Sequence, residues 1–225
     1  MLSIQNELPK ASSKCLVGFL VMSGISNLNF SEALDKARCK LEEEIRERYG
    51  PMTRQELKHI YPMGAYVSYY KKFGYTYHVL QQLESVAHGK SIPNVSTVVE
   101  AMFMAELKNM LLTAGHDLEK IKQPLILQES SGEESYMGIN GKLAQTVPGD
   151  IMITDGKSVV SSILKGPDSR TRIGEKTRQV LFTVYAPAGI DEKDIVRHLS
   201  DIESNVRIFS PDAETHVKDV YGNIQ

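Results

Sequence analysis

Two short stretches of this sequence carry residues whose types and order suit chemistry. The first is Gly115-His116-Asp117, where a histidine and a carboxylate stand at a change of chain direction. Such a pair can serve as a general base with an orienting partner, which makes His116 a candidate catalytic residue. The alternative is structural: Gly115 ends the preceding helix as a C-cap, and Asp117 opens the next turn. The residue pattern favours the structural alternative.

The second stretch is the loop 165–178, which joins two predicted strands. It holds five basic residues against only two acidic ones, Asp168 and Glu175. The basic residues are Lys165, Arg170, Arg172, Lys176 and Arg178. Arginine forks suit phosphate and carboxylate oxygens, so the loop could contact a nucleic-acid backbone or a terminal phosphate. A solvated polar loop is the other interpretation, although loops between strands often carry sites.

Composition excludes several classes of protein. A net charge of −2 argues against autonomous nucleic-acid binding, so any such contact must be local. The 6 histidines lie far apart, mostly at predicted helix surfaces, and form no metal-ligand spacing. Cys15 and Cys39 are interpreted as two reduced packing cysteines, not as a disulfide or metal ligands. We therefore predict no metal and no cofactor.

The apolar run from Cys15 to Met22 is too short to span a bilayer, which takes about 20 apolar residues. A signal peptide is also rejected, because the basic region before this run is weak and no A-x-A-like cleavage site follows it. The expected class is a soluble cytoplasmic protein without a membrane partner. No feature of the sequence sets an oligomeric state.

The elements that must position these residues divide the chain into two halves. Apolar spacing and caps predict helices from Asn29 or Ser31 to Gly50, from the Thr53-x-x-Glu56 capping box to Ile60, over 79–87, and over 96–113, the last apolar nearly all round. Hairpin turns at Asn140-Gly141 and Asp155-Gly156, a strand over 179–186, a helix over 191–199 and a last strand over 206–209 follow. The predicted fold class is α+β.

These motifs, in this order, resemble the B3/4 domain of the phenylalanyl-tRNA synthetase β subunit in a free-standing form. The stretches that carry the resemblance are VVEAMFMAEL (98–107), HDLEKI (116–121), EESYMGINGK (133–142), PGDIMITDGKSV (148–159) and GPDSRTRIGEKTRQVLFTVYAP (166–187). The resemblance implies a layered domain with a large mixed or antiparallel sheet flanked by helices. It assigns 1–64 to an N-terminal strand-helix segment packed on the core, 65–210 to the B3/4-like domain and 211–225 to a C-terminal tail, all in one compact unit.

In that family the domain implies hydrolysis of mischarged tyrosyl-tRNA, with the 3′ end of a tRNA or aminoacyl-tRNA as the partner. The resemblance implies His116 and Asp168 as catalytic residues, with Asp168 also contacting a polar group of the aminoacyl moiety. It implies substrate contacts from Glu134, Ser169, Thr177, Arg170, Arg172 and Arg178, the arginines holding terminal phosphates.

The chain departs from the family pattern at its catalytic positions. Ala114 stands where the family has its editing histidine, and Glu100 and Phe103 replace the Asp-x-x-Asn of the buried helix. Two functions therefore stay open. One is a trans-acting deacylase of mischarged aminoacyl-tRNA without ligase activity, and the other is a non-catalytic module that binds RNA or an amino-acid-like ligand.

Overall fold

The computed structural model describes residues 2–9 and 14–222. The helices in these ranges are α1 (Glu32–Tyr49), α2 (Arg54–His59), α3 (Met63–Lys72), α4 (His78–Ala87), α5 (Thr97–Asn109) and α6 (Glu192–Phe209). The strands are β1 (Ile4–Asn6), β2 (Leu16–Ser23), β3 (Thr113–Asp117), β4 (Leu125–Glu129), β5 (Ser135–Met137), β6 (Leu143–Gln145), β7 (Ile151–Thr154), β8 (Val159–Ser162), β9 (Gly166–Pro167), β10 (Val180–Ala186) and β11 (Glu214–Tyr221). The α+β class is confirmed.

Local sequence signals set several of these boundaries. The Ser31 hydroxyl accepts a hydrogen bond from the backbone N–H of Leu34 and so caps α1. At the start of α2, Thr53 and Glu56 form the predicted capping box. The two predicted hairpins are also present, as β5–β6 and β7–β8. These elements form as predicted because the stabilising contacts lie within a few residues of each other.

Three predictions about the elements are wrong. Helix α5 ends at Asn109, because Met110 takes a left-handed conformation with φ of 57°, so Gly115 lies inside β3 and is not a C-cap. Residues 206–209 form the end of α6 and not a strand, since Ile202 and Val206 continue its buried helical face. Of the cysteines, which are not bonded to each other, only Cys15 is buried, whereas Cys39 is exposed on α1.

Two sheets form the body of the fold. One has the order β1-β4-β7-β8-β9, with β1 and β4 parallel and its other pairs antiparallel. The second is antiparallel, with the order β11-β2-β10-β3. Its strands come from the N-terminal segment, from the central region and from residues 211–225, so all three stretches contribute to one sheet.

The helices α5 and α6 pack on each other and on the antiparallel sheet β11-β2-β10-β3. Helix α6 also packs on β2, and Gly18 permits this close approach because a Cβ there would lie 2.5 Å from Cγ2 of Ile195. Helix α5 contacts β3, the edge strand, whose register against β10 places His116 opposite Leu181. Residues before and after the sharp turn at Met110 therefore face each other.

Candidate functional site

A cavity of about 1040 Å³ opens between α5, β3 and the loop 168–179. Its interior is largely apolar, with Met102 and Phe103 on one side and Ile173 on the other. Gly115 keeps the space between them open, because a Cβ at this position would lie 2.8 Å from Cδ1 of Ile173 and 3.1 Å from Sδ of Met102. A cavity of this size and character is typical of a small-molecule site.

Asp117 supplies a carboxylate to the cavity wall. Its Oδ2 accepts a hydrogen bond of 2.8 Å from the Thr177 hydroxyl and lies 3.0 Å from Nζ of Lys120. The backbone N–H of Asp117 donates to the carbonyl of Thr171, which fixes the strand against the loop. Of the predicted substrate contacts, Thr177 thus lines the cavity together with Asp117, which the sequence offered either as the orienting partner of His116 or as the start of a turn.

Glu106 is the second carboxyl group in the wall, and sequence reasoning missed it. The residue is 2% exposed, and its Oε2 accepts a hydrogen bond of 2.8 Å from the backbone N–H of Thr113. Burial raises its pKa to about 8, against the smaller effect of that hydrogen bond, so the group is protonated at neutral pH. The signal in the sequence was an acid on a helix that is otherwise apolar all round.

His198 contacts Thr113, the first residue of β3, whose backbone N–H binds Glu106. Its Nε2 lies 2.7 Å from Oγ1 of Thr113, and its Nδ1 lies 3.1 Å from the amide nitrogen of Asn109. The Thr113 hydroxyl also donates to the carbonyl of Leu111 at 3.1 Å. Burial lowers the pKa of His198 to about 3, so it is neutral. His198 and His116 are buried, whereas the other four histidines are exposed, as predicted for most of them.

His116 is also enclosed, with 0% exposure, and its side chain does not line the cavity. Its Nδ1 lies 2.8 Å from Oγ1 of Thr171, and that hydroxyl donates to Oδ1 of Asp168. Burial, followed by the nearby Arg170 charge, lowers the pKa of His116 to about 3. Alternation along β3 explains the placement, since His116 points away from the face that Gly115 and Asp117 present.

Asp168 belongs to the same buried cluster. Arg170 Nε lies 3.3 Å from Asp168 Oδ2, and the Arg170 guanidinium also binds Asp155 at 2.9 Å and donates to the carbonyl of Lys120. Neither Asp168 nor Arg170 lines the cavity. This arrangement pairs the charge of Arg170 with two carboxylates inside the protein. It also holds the loop 168–179 to the segments that contain Lys120 and Asp155.

The other two predicted arginines differ from Arg170. Arg178 donates from Nη1 to the carbonyls of Glu175 and Thr177, each at 3.0 Å, and stabilises its own loop. Arg172 is exposed and lines the cavity, and its guanidinium has no partner among residues 2–9 and 14–222. Of the three predicted arginines, Arg172 is therefore the one placed to meet an anionic group of a ligand, and the exposed Lys176 lines the same cavity.

Glu134 and Ser169 lie outside the cavity. Burial acts to raise the pKa of Glu134, but hydrogen bonds from Thr146 and Ser130 outweigh it and hold the pKa well below its usual range. Ser169 donates its backbone N–H to the carbonyl of Met137. Glu134 thus connects the loop 130–132 to the end of the β5–β6 hairpin, and Ser169 connects that hairpin to the segment after β9.

Not all of the positions that depart from the family pattern lie at the cavity. Ala114 and Phe103 line the cavity, whereas Glu100 does not. Glu100 Oε1 binds Arg38 Nε at 2.9 Å, within a buried ion cluster that includes Glu42.

The described residues contain no group of three or more His, Cys, Asp or Glu side chains placed to hold a metal ion. None of the described helices combines the length and the apolar character that crossing a membrane would take.

Comparison with solved structures bears on this arrangement. This chain is similar in fold to an N-terminal fragment of the phenylalanyl-tRNA synthetase β subunit from Pyrococcus horikoshii. The TM-score is 0.51 with 9% identity, and the match covers 96% of this chain and 52% of the fragment. At this identity the likeness shows the fold alone, and the chain spans about half the length of the fragment. No protein-family model and no curated protein matches the sequence.

Proposed function

We propose that the cavity receives the aminoacyl group at the 3′ end of a tRNA and that the chain hydrolyses the ester of a mischarged species. The observation that carries the proposal is the composition of the cavity, on a fold similar to a tRNA synthetase fragment. Its interior suits an apolar or aromatic side chain, and the Asp117 carboxylate suits an α-ammonium group. The unpaired guanidinium of Arg172 suits a phosphate at the mouth.

Hydrolysis needs a water molecule to attack the ester carbonyl carbon. The bond from that carbon to the ribose oxygen then breaks, and the products are a free amino acid and a tRNA with a 3′-terminal hydroxyl. In the proposal, Asp117 orients the water or the ammonium group, with Thr177 and Lys120 fixing the carboxylate. His116 and Asp168 hold the loop 168–179 in place and act only through it.

A second candidate function is a non-catalytic binding module for the same aminoacyl end or an amino-acid-like ligand. The observation in its favour is the enclosure of His116 and Asp168, the two residues in which the family resemblance places the chemistry. Burial raises the pKa of Glu106 to about 8, so its protonated form predominates at neutral pH. A module of this kind would keep the cavity and its affinity but would not accelerate ester loss.

The deciding experiment incubates the purified chain with a panel of aminoacyl-tRNAs, tyrosyl-tRNA(Phe) included, and follows ester loss and filter retention. The variant Asp117→Asn keeps the shape of the side chain and removes its charge. Glu43→Gln, on the exposed face of α1, is the matched control. Loss of one mischarged ester that Asp117→Asn abolishes and Glu43→Gln preserves supports the hydrolase.

Retention of an aminoacyl-tRNA without ester loss would refute the hydrolase and support the binding module. Neither ester loss nor retention, in a sample whose circular dichroism shows a folded α+β chain, would refute both. An Asp168→Asn variant distinguishes the role of Asp168 from that of Asp117. We expect it to lower the free energy of unfolding, while the folded fraction keeps its affinity, because Asp168 does not line the cavity.

A further inference from the structure

Most buried carboxyl groups in the described part of the chain pair with a cation. Glu42 and Glu100 bind Arg38, Asp155 and Asp168 bind Arg170, Asp117 binds Lys120, Asp194 binds Arg197, and Glu203 binds Lys218. Among residues 2–9 and 14–222, Glu106 and Asp150 have no such partner. These two carboxyl groups therefore need another explanation.

Asp150 is satisfied by neutral donors. Its Oδ1 accepts from the Tyr69 hydroxyl at 2.9 Å, and its Oδ2 accepts from the backbone N–H of Leu164 at 3.1 Å. Glu106 differs, because only Oε2 is engaged, by the N–H of Thr113. Its Oε1 has no hydrogen-bond partner among the described residues, and the side chain lines the cavity. Oε1 is thus a polar atom of the cavity wall that is left for a ligand.

The surroundings of Glu106 keep this group neutral. Burial raises the pKa of Glu106, and it also raises the pKa values of the nearby Tyr66, Tyr70 and Tyr77, so these neighbours carry no charge at neutral pH. His198 contacts Thr113 and is neutral, and His78 lines the same cavity, with its pKa lowered by burial. Because Thr113 donates to Oε2, the proton of the carboxyl group belongs on Oε1, which can both donate to a ligand and accept from one.

We propose that Glu106 is the specificity-determining residue of the cavity, and that its carboxyl group hydrogen-bonds a hydroxyl or amide on the side chain of the bound aminoacyl moiety. The inference rests on the proposed function and narrows its substrate class. A hydrocarbon side chain of the same size would fill the space but leave a buried polar group unpaired, and sites built around such a group discriminate strongly.

The test uses non-hydrolysable adenosines that carry an amide-linked aminoacyl group at the 3′ position. Two matched pairs, threonyl with valyl and tyrosyl with phenylalanyl, differ mainly in one hydroxyl. Titration calorimetry at pH 6.5 should show the hydroxyl member of at least one pair binding about tenfold tighter or more. Glu106→Leu should remove this preference, and Glu106→Gln, which still donates and accepts, should keep most of it. Glu100→Gln, on the same helix but outside the cavity, should leave it unchanged.

A third pair, glutaminyl with methionyl, tests an amide in the same way. Equal affinities for both members of every pair in the unaltered chain would overturn the inference and leave the proposed function standing. Binding of none of the six adenosines would overturn both. A preference that survives in folded Glu106→Leu would assign the selection to another residue and so overturn the role of Glu106. Because the comparison within each pair uses the unaltered chain, the inference stays falsifiable even if Glu106→Leu does not fold.

Discussion

Replacing Glu106 with glutamine should change how the stability of the chain depends on pH. In the folded state burial raises the pKa of Glu106 from its usual 4.5 to about 8, whereas the unfolded chain leaves the group near 4.5. Between these values the folded state keeps a proton that the unfolded state has lost. The contribution of Glu106 to stability is therefore full below about pH 4.5, falls as pH rises, and is gone above about pH 8.

The magnitude follows from the width of that interval. Each pH unit in which the folded state holds one more proton costs about 1.4 kcal/mol of unfolding free energy, so the interval from 4.5 to about 8 corresponds to about 5 kcal/mol. A glutamine amide does not titrate and is free of this loss. Since whole domains are stable by only about 5–15 kcal/mol, the difference is large enough to measure.

The assay is urea denaturation of both chains at half-unit steps from pH 5 to 9, compared as a difference so that shared titrations cancel. The unfolding free energy of the unaltered chain should fall relative to Glu106→Gln by about 1.4 kcal/mol per unit up to about pH 8 and then run parallel to it. Glu43→Gln should show no such slope. A difference that stays constant with pH would show that Glu106 is ionised in the folded chain, and the reasoning from its burial would then be wrong.

Three further predictions concern the cavity, the ion cluster and the mouth. Gly115→Ala should weaken binding of the preferred aminoacyl adenosine while lowering the unfolding free energy by about 1–3 kcal/mol, measured by calorimetry and urea denaturation. Arg38→Met should destabilise by about 3–5 kcal/mol in urea, because it leaves the buried Glu100 carboxylate unpaired while Glu42 keeps Arg46, and an unchanged midpoint would contradict the role of the cluster. Arg172→Ala with Lys176→Ala should weaken tRNA retention and reduce its salt dependence, whereas Lys40→Ala on exposed α1 should do neither.

Sequence reasoning succeeds where a few neighbouring residues decide the structure. The capping box at Thr53 and Glu56 appears as predicted, and hairpins form at Asn140-Gly141 and Asp155-Gly156. The hairpin loops, 138–142 and 155–158, are longer than the two residues that these dipeptides predict. Helix α3 was not predicted, because Pro62 provides no side-chain cap and the helix instead buries Tyr66 and Tyr70 against the core.

Strand β11 shows the complementary limit. Its burial pattern is weak, and it forms because the edge of β2 offers unpaired backbone groups between Val17 and Ser23. The sequence of residues 214–221 does not indicate that this edge is available for pairing, because β2 lies some two hundred residues earlier in the sequence. Pairing of this kind is decided by the tertiary fold, and a sequence examined in isolation leaves such a segment as a tail.

The difference between local and tertiary determinants of structure also decides which candidate residues face the cavity. With a helix predicted over 96–113, His116 and Asp117 are expected at a change of chain direction, either as a general base with its orienting partner or with Asp117 opening a turn. The left-handed Met110 ends the helix early, and the following residues become a strand whose side chains alternate. Asp117 and Gly115 then face the cavity, and His116 faces the buried cluster. One change of period, from 3.6 to 2, therefore moves the proposed chemistry from the histidine to the carboxylate beside it.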